Sequence, residues 1–144
     1  MRVYFASPFF NEEQVEREES LKSLLRKEGF DVFSPKEACH LQSDAPFEDQ
    51  LKVFSENIES IQNSHFVFAV TDGKDMGTIW EAGYAFGLGI PVVYFAETVR
   101  GKFNLMLALS AKGVITSRRD IKKRTLLKMI TQDADEPAWK GTIE

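Results

Sequence analysis

The chain has 144 residues, 43% hydrophobic and 28% charged, which suits one soluble globular domain (1–144) with a substantial core. A formal net charge of −4 excludes the broad basic face of a nucleic-acid binder, so no nucleic-acid partner is expected. One cysteine excludes an intrachain disulfide, no apolar run reaches membrane-spanning length, and no signal peptide precedes the first strand; these predict a cytoplasmic protein without a membrane partner.

Short β-branched and aromatic runs alternate with helical periodicity. RVYFA (2–6) predicts a buried strand. NEEQVEREESLKSLLRKEG (11–29) predicts a helix, with Asn11 and Gln14 as a capping pair and Gly29 as its stop. FDVFS (30–34) is a second strand, and SPKEACHLQSDAP (34–46) is the longest loop. Cys39 and His40 adjoin there, but nothing else supplies a metal-ligand set, so a buried thiol beside an incidental imidazole is expected. Phe47, Leu51, Phe54, Ile58 and Ile61 recur at spacings of four, three, four and three, an amphipathic helix whose first turn suits Pro46.

HFVFAV (65–70) is the third strand and runs into the polar loop TDGKDMG. DMGTIWEAGYAFGLGIP (75–91) is the next helix, closed by Gly87, Gly89 and Pro91, and PVVYFA (91–96) is a fourth strand. GKFNLMLAL (101–109) is a loop entering a short helical turn, GVITS (113–117) is a fifth strand, and 118–130 is the last helix. The basic run SRRDIKKR (117–124) reads as a solvated face of that helix. The tail TQDADEPAWKGTIE looks irregular, with Trp139 as its anchor.

Strands alternating with helices predict an α/β fold: an open five-stranded parallel sheet with helices on both faces, flavodoxin- or Rossmann-like. Ligands in such sheets sit beyond the carboxyl ends of the strands at the topological switch point. ASPFF, TDGKDMGT and AETVRGKFN then border one crevice.

Glu81 is an acid in an otherwise apolar helix. As the last residue of T-x-x-E, it fits a capping box with Thr78, ionised and stabilised by roughly 0.3–1 kcal/mol at the helix N-terminus. An ionised carboxylate fixed beside a crevice also meets the requirements of a carboxylate nucleophile. The neighbours have plain structural readings too. Asp75 suits a solvated loop, Asn57 an amide bonded inside helix packing, Tyr4 a core strand and Asn104 a cap on the following helix. Together they bring a Tyr, an Asn, an Asp and a Glu to one crevice.

VYFASPFFNEEQ (3–14), DMGTIWEAGYAFGLGIPVV (75–93) and FNLM (103–106) resemble the nucleoside 2-deoxyribosyltransferases, in register to about residue 116. The D-x-G-T-x-W/F-E-x-G segment is the specific part. The resemblance implies a glycosyltransferase that exchanges the base of 2′-deoxynucleosides through a covalent deoxyribosyl-Glu81 intermediate, with retention at C1′. It implies no metal and no organic cofactor. Its substrates are a 2′-deoxynucleoside and a free purine or pyrimidine base. By the same resemblance Tyr4 orients the nucleophile, and Asp75 contacts substrate and manages the proton at the base. Asn104 and Met106 are lent to a neighbouring subunit's sugar site in a homo-oligomer. Phe9 and Phe10 are suited to lining the base pocket. Many relatives place an Asp where this chain has Asn57, which reads a base edge but cannot deliver a proton as an acid.

Two alternatives stand beside this reading. A 2′-deoxynucleoside 5′-monophosphate N-glycosidase would use the same nucleophile with water as acceptor and needs phosphate contacts, for which Lys74, Arg100 and Lys102 are candidates. The bulky loop ASPFFN favours an unphosphorylated substrate instead. A non-catalytic nucleotide-sensing module would need Glu81 only as a helix cap.

Overall fold

The computed structural model describes residues 1–39, 41–133 and 135–144. In chain order, the first elements are β1 Arg2–Ala6, α1 Glu12–Lys27, β2 Asp31–Phe33, α2 Pro35–Ala38, α3 Phe47–Gln62 and β3 Phe66–Val70. There follow α4 Met76–Gly87, β4 Val92–Phe95, β5 Lys102–Phe103, α5 Leu105–Ser110, β6 Gly113–Ile115, a 3-10 turn at Arg118–Asp120, α6 Lys123–Thr131 and β7 Thr142–Ile143.

Five strands form the parallel sheet that the sequence predicts, in the order β2-β1-β3-β4-β6. The chain adds β2 on one side of β1, then crosses to build β3, β4 and β6 on the other. That reversal between β1 and β3 is the switch point at which a crevice opens.

Because both faces of the sheet are covered, side chains sort by alternation along each strand. Val3, Phe5, Phe66, Phe68, Val93 and Phe95 cluster with Leu21 and Leu25 of α1 and with Ile121 and Leu126 near α6. On the other face Tyr4, Ala6, Val67, Ala69 and Tyr94 meet Ile61 of α3, Ala82 and Ala85 of α4, and Ala108 of α5. Alanines on both sides of the α4 contact bring that helix close to β1 and β3, since side-chain size sets the separation of packed elements.

Several expectations need correction. The stripe on α3 does form a helix, but Phe47, Leu51 and Phe54 are 73%, 50% and 54% exposed and only Ile61 is fully buried. The 3.6-residue period reports that a helix is amphipathic; it does not say whether the apolar face has a partner within the same chain. The loop after β2 contains the single turn α2, opened by Pro35. The tail is not irregular throughout: β7 pairs in parallel with β5, aligning Thr142 with Lys102 and Ile143 with Phe103. Trp139 anchors it, its ring 5.4 Å from Phe103 and its Nε1 donating to Thr142 O at 3.0 Å.

The basic run is not wholly solvated. Arg118 donates to Glu16 and Ser20 of α1 and to Glu97 beyond β4, tying these elements together. Cys39 is half-buried rather than buried, and His40 lies outside the described residues. Among the described residues no helix is long and apolar enough to cross a membrane, and no group of three or more His, Cys, Asp or Glu could hold a metal ion.

Candidate active site

The switch point brings β1 and the start of α4 together. Tyr4 is fully buried in β1, its ring stacked on Phe33 of β2 at 5.5 Å. Its hydroxyl donates to Glu81 Oε1 at 2.9 Å across a sequence separation of 77. Burial, then the adjacent Glu81 charge, hold the Tyr4 phenol far above its ordinary value, so it remains a donor.

Glu81 is half-buried. Burial pushes its carboxyl up to about 7; the Tyr4 hydrogen bond opposes that rise and the charge of Asp75 adds to it. A carboxyl so placed is close to half ionised at neutral pH. It is a stronger base than an ordinary glutamate, and one phenolic donor holds its orientation.

The capping-box expectation is overturned. The residue that caps α4 is Asp75, whose Oδ2 accepts from Thr78 N at 2.7 Å and from Thr78 Oγ1 at 2.8 Å. The frame is therefore D-x-x-T rather than T-x-x-E, and Thr78 lies inside the helix. Nor is Asp75 a solvated loop acid; it is half-buried at the helix end. The preceding turn sets this frame: Gly73 (φ 88°) and Lys74 (φ 50°) are both left-handed, and Lys74 N donates to Thr71 O at 3.0 Å. The positive φ at Gly73 favours glycine, and a β-carbon there would meet the tip of the Gln14 side chain, Nε2, at 2.8 Å and require it to shift.

Gln14 also fixes the loop after β1. Asn11 Oδ1 accepts from Gln14 N, as the capping pair predicts, while Gln14 Oε1 accepts from Phe10 N at 2.8 Å. Phe9 and Phe10 stack at 5.5 Å, and Phe10 is 76% exposed. Asn57 is half-buried on α3, with Cys39 Sγ 3.9 Å from its Oδ1 and 3.6 Å from Glu56 Oε2. A cavity of about 550 Å³ between α3 and the loop before it is lined by Cys39 and Glu56, together with Gln42, Asp49 and Lys52. Neither Tyr4 nor Glu81 lines it.

Asn104 and Met106 lie apart from this group. Asn104 caps α5, accepting from Met106 N at 3.0 Å and Leu107 N at 3.3 Å, and Met106 is 74% exposed. α5 packs on the β4 side of the sheet, where the Tyr94 hydroxyl lies 3.3 Å from Ser110 Oγ, and neither Asn104 nor Met106 bonds to Tyr4, Asp75 or Glu81 among the described residues.

Sequence reasoning missed Phe33, which supports the Tyr4 ring, and missed the further contacts of two residues it did name: Gln14 also holds Phe10 N, and Thr78 binds Asp75 rather than Glu81. The last was available as the i, i+3 spacing of Asp75 and Thr78, itself a cap signature.

A sequence profile of the family described as nucleoside 2-deoxyribosyltransferase matches residues 3–134. No curated protein sequence matches the chain significantly. Among solved structures, a 2-deoxyribosyltransferase from Bacillus psychrosaccharolyticus is 32% identical with a TM-score of 0.81, over 90% of this chain and 96% of that one. A conserved protein from Enterococcus faecalis V583 shares the fold at 22% identity and TM-score 0.68, over 92% of this chain and 98% of that one. A CMP N-glycosidase from Clostridium botulinum shares it more distantly, at 19% identity and TM-score 0.50, over 69% of this chain and 75% of that one. The profile match over nearly the whole length, with a relative of this identity and coverage, means that the chain belongs to the nucleoside 2-deoxyribosyltransferase family.

Proposed function

We propose that the protein exchanges the base of 2′-deoxynucleosides by double displacement, with Glu81 as nucleophile. Glu81 attacks C1′, the C1′–N bond to the base breaks with its electron pair leaving on the base, and a deoxyribosyl ester forms. A second base attacks C1′ through a ring nitrogen and releases Glu81 as carboxylate. The departing base takes up a proton that Asp75 relays from solvent, and the incoming base returns one by the same route, roles we assign to Asp75 with Asn57 reading the base edge. Two inversions give net retention.

The observation that carries this reading is the Tyr4–Glu81 hydrogen bond at the switch point. A glutamate needed only for helix stability would bond to backbone amides at the end of α4. Asp75 fills that position, which supports a role for Glu81 other than helix capping.

The monophosphate N-glycosidase remains the second reading. The exposed Lys74, adjoining Asp75 in a left-handed turn, is the cation that favours it. Phe9 and Phe10 at the crevice favour an unphosphorylated substrate.

The site is proposed to be shared within a homo-oligomer in the cytoplasm. Asn104 caps α5 and Met106 is exposed on it, while Phe47, Leu51, Phe54 and Trp80 expose apolar surface on α3 and α4. Apolar groupings of this kind on a soluble chain mark contact faces.

Intact-mass measurement after incubation with deoxyinosine tests the mechanism, with an added deoxyribosyl unit on the peptide holding Glu81 expected. Incubation with deoxyinosine plus adenine, against dIMP in water, separates the readings. Transfer without hydrolysis is expected; base release from dIMP alone would instead establish the N-glycosidase.

A further inference from the structure

We propose that Thr78 is a positioning residue for Asp75 in the transfer reaction proposed above, on which this inference rests. An N-cap needs one hydrogen bond, from a backbone amide of the first turn to the cap's side-chain oxygen. Asp75 receives that bond from Thr78 N, and its Oδ2 receives a second from the Thr78 hydroxyl. The second bond adds nothing to the capping of backbone donors. It fixes the rotation of the carboxylate.

Three features make the arrangement specific. Thr78 is only 2% exposed, so its hydroxyl has no competing water. A β-carbon at Gly77 would meet Asp75 Oδ2 at 3.3 Å, so glycine there leaves room for both donors to converge on one oxygen. Residues 75, 78 and 81 are spaced three apart, so each neighbours the next along the first turns of α4. Asp75 stands six residues, nearly two turns, before Glu81, and its charge still acts on that carboxyl. With Oδ2 held by Thr78, Oδ1 is the oxygen left to face substrate. The D-M-G-T run then has a physical purpose at each fixed position: an acid, a gap and a double donor.

The test compares kcat/KM for base exchange in the parent, Thr78→Val, Thr78→Ala, Thr78→Ser, Asp75→Ala and the double variant Thr78→Val/Asp75→Ala, with thermal unfolding of each to confirm folding. Val keeps the volume and removes the donor; Ala removes it without placing a second methyl in the buried site. Both are expected to lose about tenfold or more, the scale of one hydrogen bond to a charged group. Ser, which keeps the donor, is expected to recover most of the loss. In the Asp75→Ala background Thr78→Val is expected to cost almost nothing further, because no carboxylate remains to hold. A folded Val or Ala variant at the parent's kcat/KM overturns the proposal. So does a Ser variant as poor as Val, or a double variant whose losses multiply. A parent that fails to exchange bases overturns the functional reading as well, whereas an active parent with multiplying losses overturns the positioning role alone.

Discussion

Tyr4→Phe removes one hydroxyl and leaves the ring that stacks on Phe33. In the parent the Glu81 carboxyl stands at about 7, raised by burial and by Asp75 and restrained by the Tyr4 bond. Removing the restraint moves the group further up. A hydrogen bond to a charged acceptor contributes about 1.5–3 kcal/mol, and one pKa unit corresponds to about 1.4 kcal/mol, so the shift is about one to two units. The nucleophile must be ionised, so activity rises with pH through this value. The acid limb of kcat/KM for base exchange is therefore expected near pH 7 in the parent and about one to two units higher in Tyr4→Phe. At pH 7 the ionised fraction drops roughly 5- to 50-fold, and most of that loss is recovered where both proteins are ionised. Rate profiles from pH 5 to about 9.5 measure both limbs. A Tyr4→Phe profile with an unmoved acid limb, depressed equally at every pH, would refute the idea that the phenol sets the charge state of Glu81.

Glu81→Gln keeps an acceptor for Tyr4, and it is expected to abolish exchange and the covalent adduct. Its stability carries a sign: the folded-state value of Glu81 lies above the ordinary 4.5, so the parent is relatively stable at low pH and loses stability as pH rises through about 7. The variant should match the parent near pH 4 and exceed it by up to about 3 kcal/mol at pH 8, read by denaturant unfolding at both pH values. Asp75→Asn keeps a good N-cap while removing the charge that raises Glu81, so turnover should fall and the acid limb should move to lower pH, opposite to Tyr4→Phe. Leu51→Asp with Phe54→Asp is expected to reduce the assembled mass in light scattering and to remove exchange with it; a smaller particle that keeps full activity would refute site sharing.

The strands and most helices were legible because their periods are local. The continuous apolar runs of β1 and β3, the Asn11 cap and the Gly29 stop all follow from neighbouring residues. The misassigned cap at α4 shows where local pattern is insufficient. D-x-x-T and T-x-x-E overlap at Thr78 and have the same spacing, so the sequence permits either frame. In the structure a left-handed turn at Gly73 and Lys74 leads into Asp75, whose side chain takes the Thr78 amide. Pairings between distant short segments were equally hidden. β5 and β7 have two residues each, too few for any period, and Arg118 finds Glu16 across 102 positions.

The site itself was legible as a set of residue types, but its electrostatics were not. The T-x-x-E reading places Glu81 in the first turn of a helix, ionised and stabilised by the backbone. Instead it lies six residues into the segment that Asp75 caps, where Ala82 and Ala85 pack against the sheet. The same close packing that brings its carboxylate within 2.9 Å of the Tyr4 hydroxyl also strips it of water and raises its affinity for a proton. The basicity of Glu81 and the helix–sheet distance are thus one variable. A larger residue at Ala82 would move α4 outward, rehydrate Glu81 and lengthen the Tyr4 bond, lowering basicity and orientation together. Tyr4 sets the opposite limit, because without its hydrogen bond most of the buried group would be protonated at neutral pH. The proposed reaction draws on both the burial that makes the carboxylate basic and the single donor that keeps enough of it charged.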